Sequence, residues 1–251
     1  MFGCAPGTRD LPDVLSGLLI DASIEQEIER HGAGGEGFET CRVSVALQDK
    51  TGRMIESEEL RVRLNDLTLS TRSAHGSFYE RHPFYRLEGA SADLPPDTNF
   101  QFRLVRADES FEEAGLVRTP RVLSPEQFRF PEMISRQEMV AVEWLDLTEP
   151  VELAVFRCHS YVDMHGNTVV VDDTANDPAA IRRTIGPGLL RRPSGRLEIP
   201  AEYLADHDER RVCGVGVEIS VTHFGQVPER FSRQSSIRAT RRLKLQAEFV
   251  D

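Results

Sequence analysis

Apolar side chains recur at every second position through most of the chain, which marks strands that bury one face. Leu18, Ile20, Ala22 and Ile24 alternate with polar neighbours. The same stretch also reads as an amphipathic helix through Leu15, Leu18, Leu19 and Ala22, with strand the better fit. After a GAGGEG loop at 32–37, Cys41, Val43, Val45 and Leu47 form the next inward row, and DKTG at 49–52 supplies a turn. LRVRL at 60–64 puts Leu60, Val62 and Leu64 inward and two arginines outward, and Asn65–Asp66 turns the chain toward Leu67 and Leu69. Residues 70–83 are polar and predict a long loop, followed by a short strand through Tyr85 and Leu87. LPPDTN at 94–99 predicts a break, because proline cannot donate to a central ladder. Alternation resumes in FQFRLV at 100–105 through Phe100, Phe102 and Leu104.

The acidic stretch 107–115 and the proline-bearing stretch 118–132 lack periodicity and predict a connection, with a junction near 120–132. Beyond it Val140, Val142 and Trp144 alternate, and VELAVFRC at 151–158 is apolar on both faces, as a covered central strand would be. NTVVVDD at 167–173 predicts another strand, 172–195 a long loop, RLEIP at 196–200 a short strand and AEYLAD a turn of helix. Cys213, Val215, Val217, Ile219 and Val221 share one face, as do Leu243, Leu245, Ala247 and Phe249. A parallel α/β design needs helices of roughly ten or more residues between strands, and no such segment is present. The expected fold class is therefore all-β, as two tandem antiparallel β-sandwich domains. They are placed at 1–120, with 1–13 a flexible leader, and at 121–251.

Composition narrows the function. Hydrophobic residues at 39% and charged residues at 28% of 251 describe an ordinary globular chain. A net charge of −11 argues against a nucleic-acid partner, since phosphate binding needs a positive surface. No run approaches the roughly 18–20 apolar residues of a membrane-spanning helix.

Two resemblances bear on compartment. FGC at 2–4, followed by the loop-like APGTRDLPD, resembles the mature start of a bacterial lipoprotein, which is cut before a cysteine that then receives a lipid. That resemblance implies lipidation at Cys4 and a signal peptide upstream of Met1. The alternatives are a cysteine without a role, or pairing of Cys4 with Cys41. SGRLEIPAEYL followed by VCGVGVEISVTHFG resembles the closing strands of immunoglobulin- or fibronectin-III-like sandwiches in bacterial envelope lipoproteins. VSVALQDKTGRMI and LRVRLND look like the opening strands of similar domains. Trp144 precedes both Cys158 and Cys213, whereas antibody-type domains place the core tryptophan between bridged cysteines. The resemblance carries over no functional residues.

The remaining chemistry is a short list of candidates. Cys158 and Cys213, on strand-like segments of one half, are candidates for a disulfide pinning two sheets in an oxidising compartment; the alternative is two buried thiols. His159, Asp163 and His165 are metal-ligand types that would converge on zinc if the chain doubles back at MHGN, although turn chemistry explains the same residues. Asp172, Asp173, Asn176 and Asp177 supply oxygen ligands without the ordered spacing of a calcium loop, and a solvated acidic loop is the better reading of them. Arg182, Arg183, Arg191 and Arg192, with Arg196, form a basic stretch suited to an anionic partner or to balancing nearby aspartates. No GxSxG nucleophile elbow, GK[ST] phosphate loop or CxxC pair occurs.

The expected function is a non-catalytic structural or binding module at the periplasm or cell surface. Its partner is a protein or glycan of the envelope, it contacts membrane only through the lipid, and it needs no cofactor. The rival expectations are a carboxylate-based hydrolase and a metal-binding module using 159–173.

Overall fold

The computed structural model describes residues 17–31, 38–55, 57, 60–75, 81–88, 94–135, 139–162, 168–173, 189–190, 193–199 and 211–249. Side chains are described within these ranges except at 29–31, 38, 71–75, 81–84, 88, 157–162, 168–173, 189–190 and 211–213. The strands in the first part are β1 (Leu19–His31), β2 (Phe38–Gln48), β3 (Leu60–Leu64), β4 (Leu67–His75), β5 (Arg81–Glu88), β6 (Asn99–Arg106) and β7 (Phe111–Arg118). The others are β8 (Phe128–Arg129), β9 (Met133–Ile134), β10 (Val140–Trp144), β11 (Val151–Val162), β12 (Thr168–Asp173), β13 (Leu189–Leu190), β14 (Gly195–Ile199), β15 (Arg211–Phe224) and β16 (Ser236–Phe249). A single 3-10 turn, Pro125–Gln127, is the only helical element among the described residues. The protein is all-β, and no described helix is long and apolar enough to cross a membrane.

The chain forms two compact units, but they interleave. One unit takes Met1–Gln26, Thr40–Pro120 and Thr222–Thr240; the other takes Glu27–Glu39, Arg121–Val221 and Arg241–Asp251. The sequence expects one junction near 120–132. The division instead also passes through β1, β2, β15 and β16, because each of these strands is long enough to give one stretch to each unit.

In the first unit the strands run in the order β16-β1-β2-β5-β4-β3-β6-β7. Period-two alternation builds its core: Ile20, Ala22 and Ile24 from β1, Val43, Val45 and Leu47 from β2, Val62 and Leu64 from β3, and Phe102 and Leu104 from β6 are all essentially buried. Each such side chain stabilises by roughly 1.5–3 kcal/mol relative to exposure. β3 and β4 meet through the two-residue loop Asn65–Asp66, with Leu64 opposite Leu67. Asn65 takes the left-handed backbone (φ 50) that such loops require. It is tied to β6 in both directions, its amide donating to the Gln101 carbonyl (2.9 Å) and its Oδ1 accepting from the Gln101 amide (2.8 Å).

Two expectations fail here for physical reasons. Residues 70–83, expected to be a loop, contribute to the β4–β5 hairpin, which pairs from Ser70–Arg86 to His75–Arg81. β4 pairs with β3 at 67–69 and β5 with β2 at 85–88, and beyond those residues the two strands continue as a ladder with each other, which needs no apolar stripe. Residues 107–115, expected to connect domains, form the turn and start of β7. The β6–β7 register jumps between Phe102–Gly115 and Arg103–Glu113, leaving Ala114 as an extra residue. That bulge buries two consecutive positions, Ala114 and Gly115, and erases the period-two signal. Only glycine fits at 115, since a Cβ there would lie 2.5 Å from the Gln226 carbonyl oxygen and against Ile237. The Leu116–Gln226 bridge at this point covers β7 on its other side. Beyond β7, buried Thr119 fastens the 94–99 turn, its Oγ1 donating to the Pro95 carbonyl (2.8 Å) and accepting from the Thr98 amide (3.1 Å).

The second unit packs sheet against sheet. β12-β11-β15-β16, with β13 on β11 and β9 on β16, faces the three-stranded β14-β10-β8. Its core combines Val142 and Trp144 of β10 and Ile199 of β14 with Val155, Val215, Val217, Ile219 and Leu243. Every described register in the protein is antiparallel except that of β9, which runs parallel to β16 at Met133–Glu248 and Ile134–Phe249.

Candidate functional site

The alternation that fills the first unit's core also aligns a polar row on the outer face of the same strands. With Ile237 and Ala239 inward on β16, Arg238 faces out; with Ile20, Ala22 and Ile24 inward on β1, Asp21 and Ser23 lie on the other face, Asp21 exposed and Ser23 buried. On β2 the outward residues are Arg42, Ser44 and Ala46, and on β5 the outward residue between Tyr85 and Leu87 is Arg86. Because the strands lie in the order β16-β1-β2-β5, these residues share one surface about 14 Å wide, three strand spacings. Together with Met54 they line a cleft of about 360 Å³.

Its geometry is polarised. Arg86 lies directly opposite Ser44, and Arg42 is two residues along β2, so the two guanidinium stems are diagonal neighbours on one face. Asp21 and Ser23 occupy the next strand, and Arg238 the strand beyond. The Ser23 and Ser44 hydroxyls bond each other at 2.9 Å, and the Asp21 carboxylate accepts the Ser236 hydroxyl at 2.7 Å. Ser70 Oγ donates to the Arg86 carbonyl (3.0 Å), fixing that backbone from the neighbouring strand.

Three guanidinium groups and one carboxylate make the cleft a positive patch in a chain of net charge −11. Elsewhere on the described surface several arginines sit against carboxylates, Arg61 with Glu109, Arg118 with Asp97 (2.8 Å) and Arg196 with Glu143 (3.2 Å), while exposed Arg53, Arg129 and Arg233 are in no ion pair among the described residues. Among the described residues neither Arg42 nor Arg238 is in an ion pair, and both are exposed. Guanidinium groups presented this way match the planar, bidentate geometry of carboxylates and phosphates. The lining has no imidazole or thiol, and its one carboxylate already accepts a hydrogen bond.

The sites suggested by sequence lie mostly elsewhere. Cys4, Asp163, His165, Arg182, Arg183, Arg191 and Arg192 fall outside the described residues, as do 174–177. His159 sits in β11, opposite Val171 of β12 and Val212 of β15. No group of three metal-ligand side chains occurs among the described residues. Arg196 is on the exposed face of β14, shared between Glu143 and Glu198 (3.4 Å). Cys158 and Cys213 are on adjacent antiparallel strands: Cys158 faces Gly214, His159 faces Val212, and Cys213 is the extra residue of the bulge between them. A bridge there would join neighbours within one sheet rather than pin two sheets. Cys41 is half-buried against the first unit's core.

No family model matches the sequence, and no curated protein matches it. Among solved structures, a yeast delta-COP-I mu-homology domain is similar at 11% identity, covering 94% of this chain and 97% of that one, with a TM-score of 0.30. The same domain complexed with a Dsl1 WxWxV peptide is similar at 11% identity, covering 93% and 97%, with a TM-score of 0.28. Superposition at that level does not assign this chain to that fold.

Proposed function

We propose that the chain is a non-catalytic binding module acting outside the cytoplasm, and that it recognises an anionic ligand in the arginine cleft. The observation that carries this reading is the convergence of Arg42, Arg86 and Arg238 on one concave sheet face, two of them without an acidic partner among the described residues. Exposed arginines without an ion pair also occur singly, at Arg53, Arg129 and Arg233, so what supports the reading is the gathering of three arginines in one cleft. Hydroxyls and a hydrogen-bonded carboxylate around the guanidinium groups suit recognition better than proton transfer.

The envelope location belongs to the same proposal and rests on the resemblance of FGC at 2–4 and the residues after it to a lipidation motif. So does the finer fold reading, that the units are sandwiches of the immunoglobulin or fibronectin-III kind; antiparallel pairing and two separate cores support it. Binding is tested by titrating small carboxylates and phosphate into the purified protein by calorimetry. Saturable binding that weakens with salt and with the Arg42→Gln/Arg86→Gln double substitution is expected, and salt-insensitive binding or none rejects the cleft. Compartment is tested by intact-mass analysis of protein made with its native upstream sequence. A lipidated Cys4 is expected; an unmodified Met1 rejects the tether.

A further inference from the structure

Residues directly opposite each other on neighbouring antiparallel strands carry their Cβ atoms about 5 Å apart, and like charges placed there oppose the pairing. β3 and β6 nevertheless set Arg63 opposite Arg103. Their neighbours Val62, Leu64, Phe102 and Leu104 are buried, so both arginines lie on the outer face of the first unit, and both are half-buried. Among the described residues neither is in an ion pair, although Arg61 of β3 pairs with Glu109 and Arg106 of β6 with Glu112 (3.7 Å). Both side chains are held in position. Arg103 Nε donates to Gln101 Oε1 (2.9 Å) on its own strand, and its Cζ lies 5.2 Å from the centre of the Phe111 ring. Glu113, opposite Arg103 on β7, is exposed and is not engaged by it. Arg63 Nε is buried with no acceptor, which marks a donor whose partner the protein does not supply. Only Nε is shut off in this way, so the terminal nitrogens of Arg63 stay open to solvent.

We infer that the Arg63–Arg103 pair is a second anion site, and that its ligand is a doubly charged tetrahedral oxyanion, phosphate or sulfate, free or as the end group of an ester. The site shares no residue with the arginine cleft, so the inference stands apart from the reading above. Charge sets the class. A single carboxylate offsets one of two facing guanidinium groups and leaves the other against its like-charged neighbour. A phosphate or sulfate brings close to two negative charges and three or more acceptor oxygens, enough to take charge-assisted donors from both arginines at once. Thr68, opposite Arg63 on β4, adds an exposed hydroxyl that can donate at the edge of the pair. Binding therefore replaces the repulsion between the two arginines with attraction to one shared ion.

The experiment is nitrogen–proton NMR of the arginine side chains at low salt, titrated with inorganic phosphate, sulfate, methyl phosphate and acetate. It uses the unaltered protein and the variants Arg63→Gln and Arg103→Gln. Inorganic phosphate and sulfate are each expected to move the Arg63 and Arg103 Nε–H signals together, with one dissociation constant. Each should bind there about tenfold more tightly than acetate, about 1.4 kcal/mol. Arg63→Gln should weaken phosphate about tenfold as read at Arg103, and Arg103→Gln likewise as read at Arg63. Methyl phosphate separates the sources: affinity kept on methylation supports an ester end group, and affinity lost supports the free anion. Acetate binding as tightly as phosphate overturns the dianion assignment. Arg63 and Arg103 staying unmoved, or moving with unrelated dissociation constants, overturns the site. The Arg42 and Arg238 signals report on the cleft separately, so either site can fail while the other stands. Joint movement is read in the unaltered protein, so the proposal stays testable if a variant is unstable.

Discussion

Phe156 of β11 lies directly opposite Gly216 of β15, and its ring occupies the space where a side chain at 216 would begin. Phe156 is 1% exposed, so the ring has no room to retreat. Gly216→Ala is expected to destabilise by about 1–3 kcal/mol, the usual range for overpacking. Phe156→Ala alone leaves a cavity and is expected to cost about 3–5 kcal/mol. Combined, the two changes should cost less than their sum, because the new methyl enters the vacated space. Denaturant midpoints of the four proteins measure the coupling, and strict additivity would show that the ring and glycine are independent.

Asp49 organises the turn after β2. Its Oδ1 accepts from the Thr51 amide (2.7 Å), the Thr51 hydroxyl (2.6 Å) and the Arg53 amide (3.0 Å). Asp49→Ala removes all three and is expected to cost about 1–3 kcal/mol, with Asp49→Asn retaining much of that stability. Amide exchange at Thr51 and Arg53 should quicken in the alanine variant; unchanged exchange would show that the turn holds without the carboxylate.

The β6–β7 turn carries the protein's clearest acid-sensitive contact among the described residues. A hydrogen bond from the Ser110 hydroxyl, then one from the Ser110 amide, hold the Asp108 carboxyl below its ordinary 3.8. A lowered folded-state value means the stabilisation is fully present above 3.8 and is lost as pH falls through that lowered value. Following the Asp108 carboxyl by NMR should show a midpoint below 3.8 that rises in Ser110→Ala. A midpoint at or above 3.8 in the parent would contradict the contact.

The register around Cys158 and Cys213 makes a separate prediction under the envelope proposal. Protein recovered from an oxidising compartment should have two fewer reactive thiols than protein made in a reducing one, and Cys213→Ser should abolish the difference. Equal thiol counts would mean that the two cysteines remain reduced despite their adjacent strands.

Strands that bury one regular face were legible from residues alone: Leu60, Val62 and Leu64, or Val215, Val217 and Ile219, are buried as their spacing requires. β7 was hidden because its bulge at Ala114 puts two inward positions side by side. β4 and β5 were hidden because their ladders, not an apolar stripe, define them. The interleaving of the units depends on which strands pair over long range, which alternation does not encode. The cleft was missed for a related reason. Arg42, Arg86 and Arg238 are each an ordinary outward residue, and only the order β16-β1-β2-β5 brings them together. Arg182, Arg183, Arg191 and Arg192, by contrast, stand out in the sequence because they are neighbours along the chain.

The most direct measurement of the central claim is nitrogen–proton NMR of the arginine side chains during titration with phosphate and small carboxylates. Saturable shifts are expected at the Arg42 and Arg238 Nε–H signals, with Arg61, Arg118 and Arg196, already against carboxylates, unmoved. Equal shifts across all arginines, or none at 42 and 238, would contradict it.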